Sequence, residues 1–197
     1  MERLIAGIDY GSKNSGFTCA SLLKQGKVFI YQAEKNKDAD QSLKDFLVRY
    51  KPDVIGIDAP LSLPGVLRGL KRFTNYHFRQ ADIEAKAMSP MFLGGLTARA
   101  IEIATWFNSA WGTQVIEVYP KLVSQELLLD TKRYKREEVY LPAAVRLLKN
   151  AVKWDLSDSK IENWHQFDSL LALYATERFS NNIAQSLGNK QEGLIYF

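Results

Sequence analysis

The sequence predicts an α/β fold with one mixed sheet, an antiparallel three-strand meander plus two parallel strands, flanked by helices. Three observations predict it. An apolar run, Leu4-Ile5-Ala6-Gly7-Ile8, ends at Asp9 and breaks into Tyr10-Gly11-Ser12-Lys13-Asn14-Ser15-Gly16, the pattern of a short buried strand closed by turn residues. Two further β-type runs follow, joined by a glycine-containing turn. After an intervening helical pattern, the Gly-Ile-Asp ending of the first strand returns at Gly56-Ile57-Asp58, and a strand reached through a helix implies a right-handed crossover to a parallel neighbour.

In chain order, Phe17–Leu23 and Val28–Ala33 read as strands on either side of Lys24-Gln25-Gly26-Lys27. Asp38-Ala39-Asp40-Gln41 opens a helix whose Leu43, Phe46, Leu47 and Tyr50 recur at helical spacing, with Pro52 beyond its end. Asp53-Val54-Ile55-Gly56-Ile57-Asp58 is the next strand, stopped by Ala59-Pro60. Residues 61 to about 96 carry scattered Pro and Gly and read as a partly helical insertion capping one end of the sheet. Thr97–Trp111 is a patterned helix and Gln114–Val118 a strand ended by Pro120. Helices are expected around Leu122–Leu129, Val139–Val152 and Ile161–Phe179, with the Lys- and Arg-rich Asp130–Glu138 as a solvated connection. The tail Gly188–Phe197 shows no period, and its apolar end packs on the core or on a partner.

The 197 residues suit one domain, 1–197. Hydrophobic content of 46% and charged content of 24% are those of a soluble globular chain. A lone Cys19 allows no internal disulfide, and no run has the length or character of a signal peptide or membrane helix. The cytoplasm is the expected compartment, with no membrane contact. A net charge of +4 permits an anionic partner without demanding one.

Four acids interrupt apolar elements that face the interior: Asp9, Asp58, Glu117 and, on the last helix, Asp168, which lies within the stripe of Trp164, Phe167, Leu171, Tyr174 and Ala175. Each alone has an ordinary explanation, a turn cap for Asp9 or a buried ion pair for Asp168. Together, on neighbouring strands about 4.8 Å apart, unpaired carboxylates would repel and need a hard cation, Mg²⁺ or Mn²⁺. A pair of such ions is a common device for attack on a phosphodiester. Two histidines and one cysteine are too few for a zinc site.

These pieces resemble the ribonuclease H-like fold and, within it, an uncharacterised family of predicted nucleases (domain of unknown function 429). The matching motifs are Gly7-Ile8-Asp9, Gly56-Ile57-Asp58-Ala59-Pro60-Leu61-Ser62-Leu63-Pro64, Arg79-Gln80-Ala81-Asp82-Ile83-Glu84-Ala85, Glu117-Val118-Tyr119-Pro120 and Phe167-Asp168-Ser169-Leu170. The resemblance implies a metal-dependent nuclease acting on nucleic acid, with Asp9, Asp58, Glu117 and Asp168 as catalytic metal ligands and Arg79 and Asp82 as substrate-binding residues. Lys13, after the first strand, and Arg72, in the basic aromatic stretch Arg68–Arg79, complete the expected substrate contacts. The aromatics of that stretch either stack on bases or form the insertion's own small core. The chain departs from the family at Lys121 and at Trp164-His165, where members often carry acids, which leaves the number of metals open. His165 is a surface or core residue, a ligand, or a proton shuttle. Branched-DNA nucleases of this fold commonly act as dimers, so a homodimer is a further expectation.

Two other functions share these residues. A ribonuclease H-like module could bind nucleic acid or protein without chemistry. The loop Asp9–Gly16 also resembles the first phosphate loop of actin-like phosphotransferases, although those clamp nucleotide between two related domains and only one is evident here.

Overall fold

The computed structural model describes residues 3–197. Its sheet has seven strands in the order β3-β2-β1-β4-β5-β7-β6. The first five are β1 (Ile5–Asp9), β2 (Cys19–Lys24), β3 (Lys27–Gln32), β4 (Val54–Asp58) and β5 (Gln114–Val118). β1–β2 and β2–β3 pair antiparallel, whereas β1–β4 and β4–β5 pair parallel. This meander with parallel strands added to its first member is the ribonuclease H-like sheet. The last two, β6 (Ser186–Asn189) and β7 (Gly193–Tyr196), form a hairpin that extends the sheet through a parallel β5–β7 pairing.

Helices cover both faces. α1 (Ala39–Leu47) starts at Asp38, whose carboxylate accepts from Asp40 N–H and Gln41 N–H, satisfying donors left free in the first turn. With α4 (Gly95–Trp111) it packs on one face through Leu43, Leu47, Ala100, Ile103 and Phe107 against Ala6, Ile8, Ile55 and Ile57. The other face carries α5 (Pro120–Glu126), α6 (Leu141–Ala151) and α7 (Trp164–Ser180), packed on Ile5, Val54, Ile116 and Val118. Between β4 and α4 lie α2 (Gln80–Ala85), α3 (Pro90–Leu93) and irregular chain. No described helix is long and apolar enough to cross a membrane.

The Gly-Ile-Asp repeat has a packing cause. Side chains alternate faces along a strand, so Gly7 and Asp9 both face α7. A Cβ on Gly7 would lie 2.0 Å from the Leu173 backbone nitrogen, and one on Gly56 2.1 Å from Thr176 Oγ1. The glycines let α7 descend onto the sheet. Two strand residues advance about 6.7 Å, the rise of between four and five helical residues. Stepping from Gly7 to Asp9, and back along α7 from the 172–173 contact, therefore arrives at Asp168. One stripe of the fold sets both the close approach and the meeting of acids.

The tail differs from the expectation of an aperiodic segment. Its strands have only four residues each, and Gly188 and Gly193 adopt φ of 102° and 136°, so alternation is too short to read. The hairpin also anchors the insertion. Buried Glu192 accepts from Gly65 N–H at 2.6 Å and Gln80 N–H at 2.7 Å, while its carbonyl accepts from Ser62 Oγ at 2.7 Å.

Candidate carboxylate centre

Asp9 and Asp58 end neighbouring parallel strands in direct register, which places both carboxylates on the α7 side. Asp168 joins them from α7. Asp9 is nearly buried, Asp168 fully so, and Asp58 opens partly to an adjoining cavity. Burial first, and then the Asp9 charge, push the Asp58 carboxyl well above the usual range. Burial pushes Asp168 up to about 7, against the opposing pull of Lys135. Asp58 and Asp168 thus resist ionising in this low-dielectric site.

Asp168 is held by two residues of the connection between α5 and α6. Tyr134 donates its hydroxyl to Oδ1, and the Lys135 ammonium forms an ion pair with Oδ2. Burial and the Asp168 charge keep the Tyr134 phenol neutral, hence a donor. Burial alone would lower the Lys135 pKa, but Asp168, Asp9 and Asp58 outweigh it and raise it to about 12. Lys135 has φ of 62°, a left-handed conformation uncommon outside glycine and asparagine. The expectation of a solvated connection fails here, because Tyr134 is buried on Trp164 at 5.3 Å and Lys135 reaches inward. A Tyr-Lys pair inside a basic run carries no periodic signal; the buried aromatic is the only hint of an anchor.

His165 has a defined position too. Its Nδ1 lies 2.8 Å from Asp9 Oδ2, and its ring stacks on Phe17 at 4.6 Å. It is neither a free surface residue nor a core residue, since it holds one oxygen of Asp9.

Glu117 does not share the sheet face of these three aspartates, although it borders the same cavity as Asp58. It is in register with Ile57, one residue before Asp58, and alternation turns it to the opposite face. There it accepts from Arg79 Nη1 and Nη2, each at 2.6 Å, and from Leu61 N–H at 2.9 Å. Arg79 also donates through Nε and Nη2 to Asp82, at 3.1 and 2.6 Å, and through Nη1 to Ser62 Oγ at 2.9 Å. All five guanidinium N–H groups are used, and the side chain is fully buried. Asp82 further accepts from the Arg79 backbone N–H at 2.7 Å, closing the start of α2. Arg79 and Asp82, the expected substrate contacts, form with Glu117 a buried ion triad in which every guanidinium N–H has a partner within the chain. The helical spacing did place Arg79 and Asp82 together, but their common partner is Glu117.

The other expected substrate contacts are Lys13 and Arg72. Lys13 pairs with Asp38 at 3.0 Å, and exposed Arg72 borders a separate cavity of about 300 Å³ with Phe73 and Phe78. Phe73 lies against Gly65, and Phe78 meets Phe92 edge-on at 5.8 Å, the small-core alternative for those two rings; Tyr76 is 59% exposed. In the loop after Asp9, Gly11 N–H goes to Thr18 Oγ1 at 3.1 Å, Ser15 N–H to the Ser12 carbonyl at 3.2 Å and Phe17 N–H to Ser15 Oγ at 3.1 Å. These bonds engage the Gly11 and Ser15 amides of the loop internally.

Among the described residues, no three His, Cys, Asp or Glu side chains are arranged as a ready metal cage. The chemistry of the donors nonetheless fits a hard cation. Asp168 Oδ2 is buried without a properly angled hydrogen bond, meeting only the Lys135 ammonium. Three carboxylates face one fixed positive charge.

No family model matches the chain. No curated protein is similar to it. Among solved structures, Thermus thermophilus RuvC is similar at 12% identity and a TM-score of 0.48, over 94% of this chain and 98% of that one. T. thermophilus RuvC in complex with a Holliday junction substrate is similar at 11% identity and a TM-score of 0.47, over 95% of this chain and 99% of that one. The ribonuclease H-like fold rests on the strand order itself.

Proposed function

We propose that this chain is a divalent-metal-dependent nuclease whose centre is Asp9, Asp58 and Asp168, and that it is related to the predicted-nuclease family its motifs resemble. The observation that carries the reading is the meeting of these three aspartates, from β1, β4 and α7, around a single ammonium. That leaves a deficit of positive charge in a partly enclosed site, which oxygen ligands of this kind make up with Mg²⁺ or Mn²⁺. Asp9 and Asp58 would hold the ion, with Asp168 completing the set as its Oδ2 turns from Lys135. When bound, such an ion supplies Lewis-acid polarisation of a phosphoryl oxygen and lowers the pKa of water.

The remaining work falls to side chains already in place. His165 fixes the orientation of Asp9 through Oδ2, and Tyr134 fixes Asp168 through Oδ1; such outer partners tune ligand affinity by roughly 10–100-fold. Lys135 stays charged and lines the adjoining cavity, where it can meet a phosphate oxygen as negative charge builds. Glu117 acts from behind: with Arg79 it ties β5 to the insertion and to the segment following Asp58. One observation favours a second reading, a binding module without chemistry, because protein groups meet both oxygens of Asp168.

The test is a cleavage panel with Mn²⁺: single strand, duplex, RNA–DNA hybrid and branched junction, using wild type and Asp9→Asn. Cleavage of at least one substrate, reduced at least about hundredfold in Asp9→Asn, is the expected result. Binding without cleavage, unchanged in Asp9→Asn, would favour the module and refute the nuclease.

A further inference from the structure

The cavity next to Asp58 is not needed to hold a metal, yet the insertion builds a wall for it. It measures about 420 Å³, within the ~300–1,000 Å³ of small-molecule sites. Asp58 and Lys135 line it together with apolar Met88, Leu93 and Leu96 and aromatic Tyr119. Met88 is 60% exposed, so this wall holds apolar surface open to solvent among the described residues.

We propose that this cavity receives the base of an unpaired nucleotide whose phosphate lies at the aspartates. The inference rests on the nuclease reading and adds the substrate class to it. Charge decides which part of a nucleotide goes where. Asp82 and Glu117 border the cavity and share one guanidinium, so its wall keeps a net negative charge that disfavours an anion inside. Lys135 is the cation at its boundary with the carboxylates, and a phosphate belongs beside it. What fits inside is uncharged, largely apolar, and able to give hydrogen bonds to carboxylate oxygens that retain lone pairs after Arg79 is satisfied. The phenol of Tyr119, kept neutral by burial and then by the Asp58 charge, adds a donor. A nucleobase meets each of these conditions. In a duplex the base is stacked and paired, and extracting it costs a few kcal/mol, least where it is already unpaired. The scissile position is therefore single-stranded, at a gap, flap, mismatch or loop.

Calorimetry with AMP and ribose 5-phosphate, in the presence of Mn²⁺, separates base from phosphate. Stacking on protein rings supports roughly tenfold tighter binding of AMP. Leu96→Trp, which fills the cavity from the first turn of α4, is expected to bring AMP down to the level of ribose 5-phosphate while Mn²⁺ still raises the melting temperature. Met88→Trp, from an exposed position, repeats the test if Leu96→Trp does not fold. Equal binding of the two probes by wild type, binding of neither, or an AMP preference that survives both substitutions overturns the assignment. A wild type that ignores Mn²⁺ overturns the nuclease reading itself, so the two failures are distinguishable.

Discussion

Replacing Arg79 by methionine would leave two buried carboxylates facing each other across the space of a lost guanidinium. Arg79 is fully buried and gives two N–H groups to Glu117, two to Asp82 and one to Ser62. Removing one partner of a buried ion pair costs about 3–5 kcal/mol. Each acid keeps one backbone donor, Leu61 N–H for Glu117 and Arg79 N–H for Asp82, so the loss is placed within that range rather than doubled. For 197 residues it corresponds to a fall in Tm of roughly 6–20 °C, at about 2–4 °C per kcal/mol. Urea unfolding at pH 7.5 measures it. The orphaned acids would take up protons, so the deficit should shrink towards roughly pH 5, and Glu117→Gln in the Arg79→Met background should recover part of it. A loss below about 1 kcal/mol, or one indifferent to pH and to Glu117→Gln, would refute the structural role given to the triad.

Other perturbations follow from the carboxylate centre and the helix above it. Asp58→Asn removes the repulsion with Asp9, so it should raise the Tm of the metal-free protein at neutral pH while abolishing stabilisation by Mn²⁺, both read by calorimetry. Lys135→Met should strengthen the dependence on Mn²⁺, giving a larger metal-induced Tm shift than wild type from a lower metal-free Tm. Asp58 and Asp168 have folded pKa values above their unfolded ones, so folding takes up protons between the two. Their contribution to metal-free stability is complete below about pH 3.9 and is lost as pH rises, for Asp168 through about 7. The Mn²⁺ shift should grow over the same interval, because ligands must be deprotonated; thermal scans at several pH values check both trends. Gly7→Ala would press a methyl into the α7 backbone at 2.0 Å, and should cost about 3 kcal/mol or more in urea unfolding.

The sheet was legible because its strands are closed by turn residues and its acids repeat after Gly-Ile. Asp9, Asp58 and Asp168 could be linked because a carboxylate in an apolar stripe is anomalous wherever it stands. Glu117 shows the limit of that reasoning: being buried and acidic does not say which face it takes. A one-residue offset from Asp58 sends it to Arg79. The same spacing placed Arg79 beside Asp82, but sequence does not reveal that all five N–H groups have partners inside the chain. Lys135 and Tyr134 were invisible in a connection without period, where a left-handed backbone and a long side chain do the positioning. The β6–β7 hairpin escaped because four-residue strands containing glycine show no alternation. His165 stands three residues before Asp168, whereas its contact is Asp9, across the strand–helix junction.

The central claim is that Asp9, Asp58 and Asp168 hold a divalent cation, and a thermal scan of wild type and Asp9→Asn with Mn²⁺ tests it most directly. At a Mn²⁺ concentration about a hundred times Kd, binding to the folded state adds about 2.7 kcal/mol, or roughly 5–11 °C in Tm at about 2–4 °C per kcal/mol. Wild type should show that shift and Asp9→Asn should lose most of it. A wild-type Tm that stays constant up to millimolar Mn²⁺, or an equal shift in both proteins, would contradict the account.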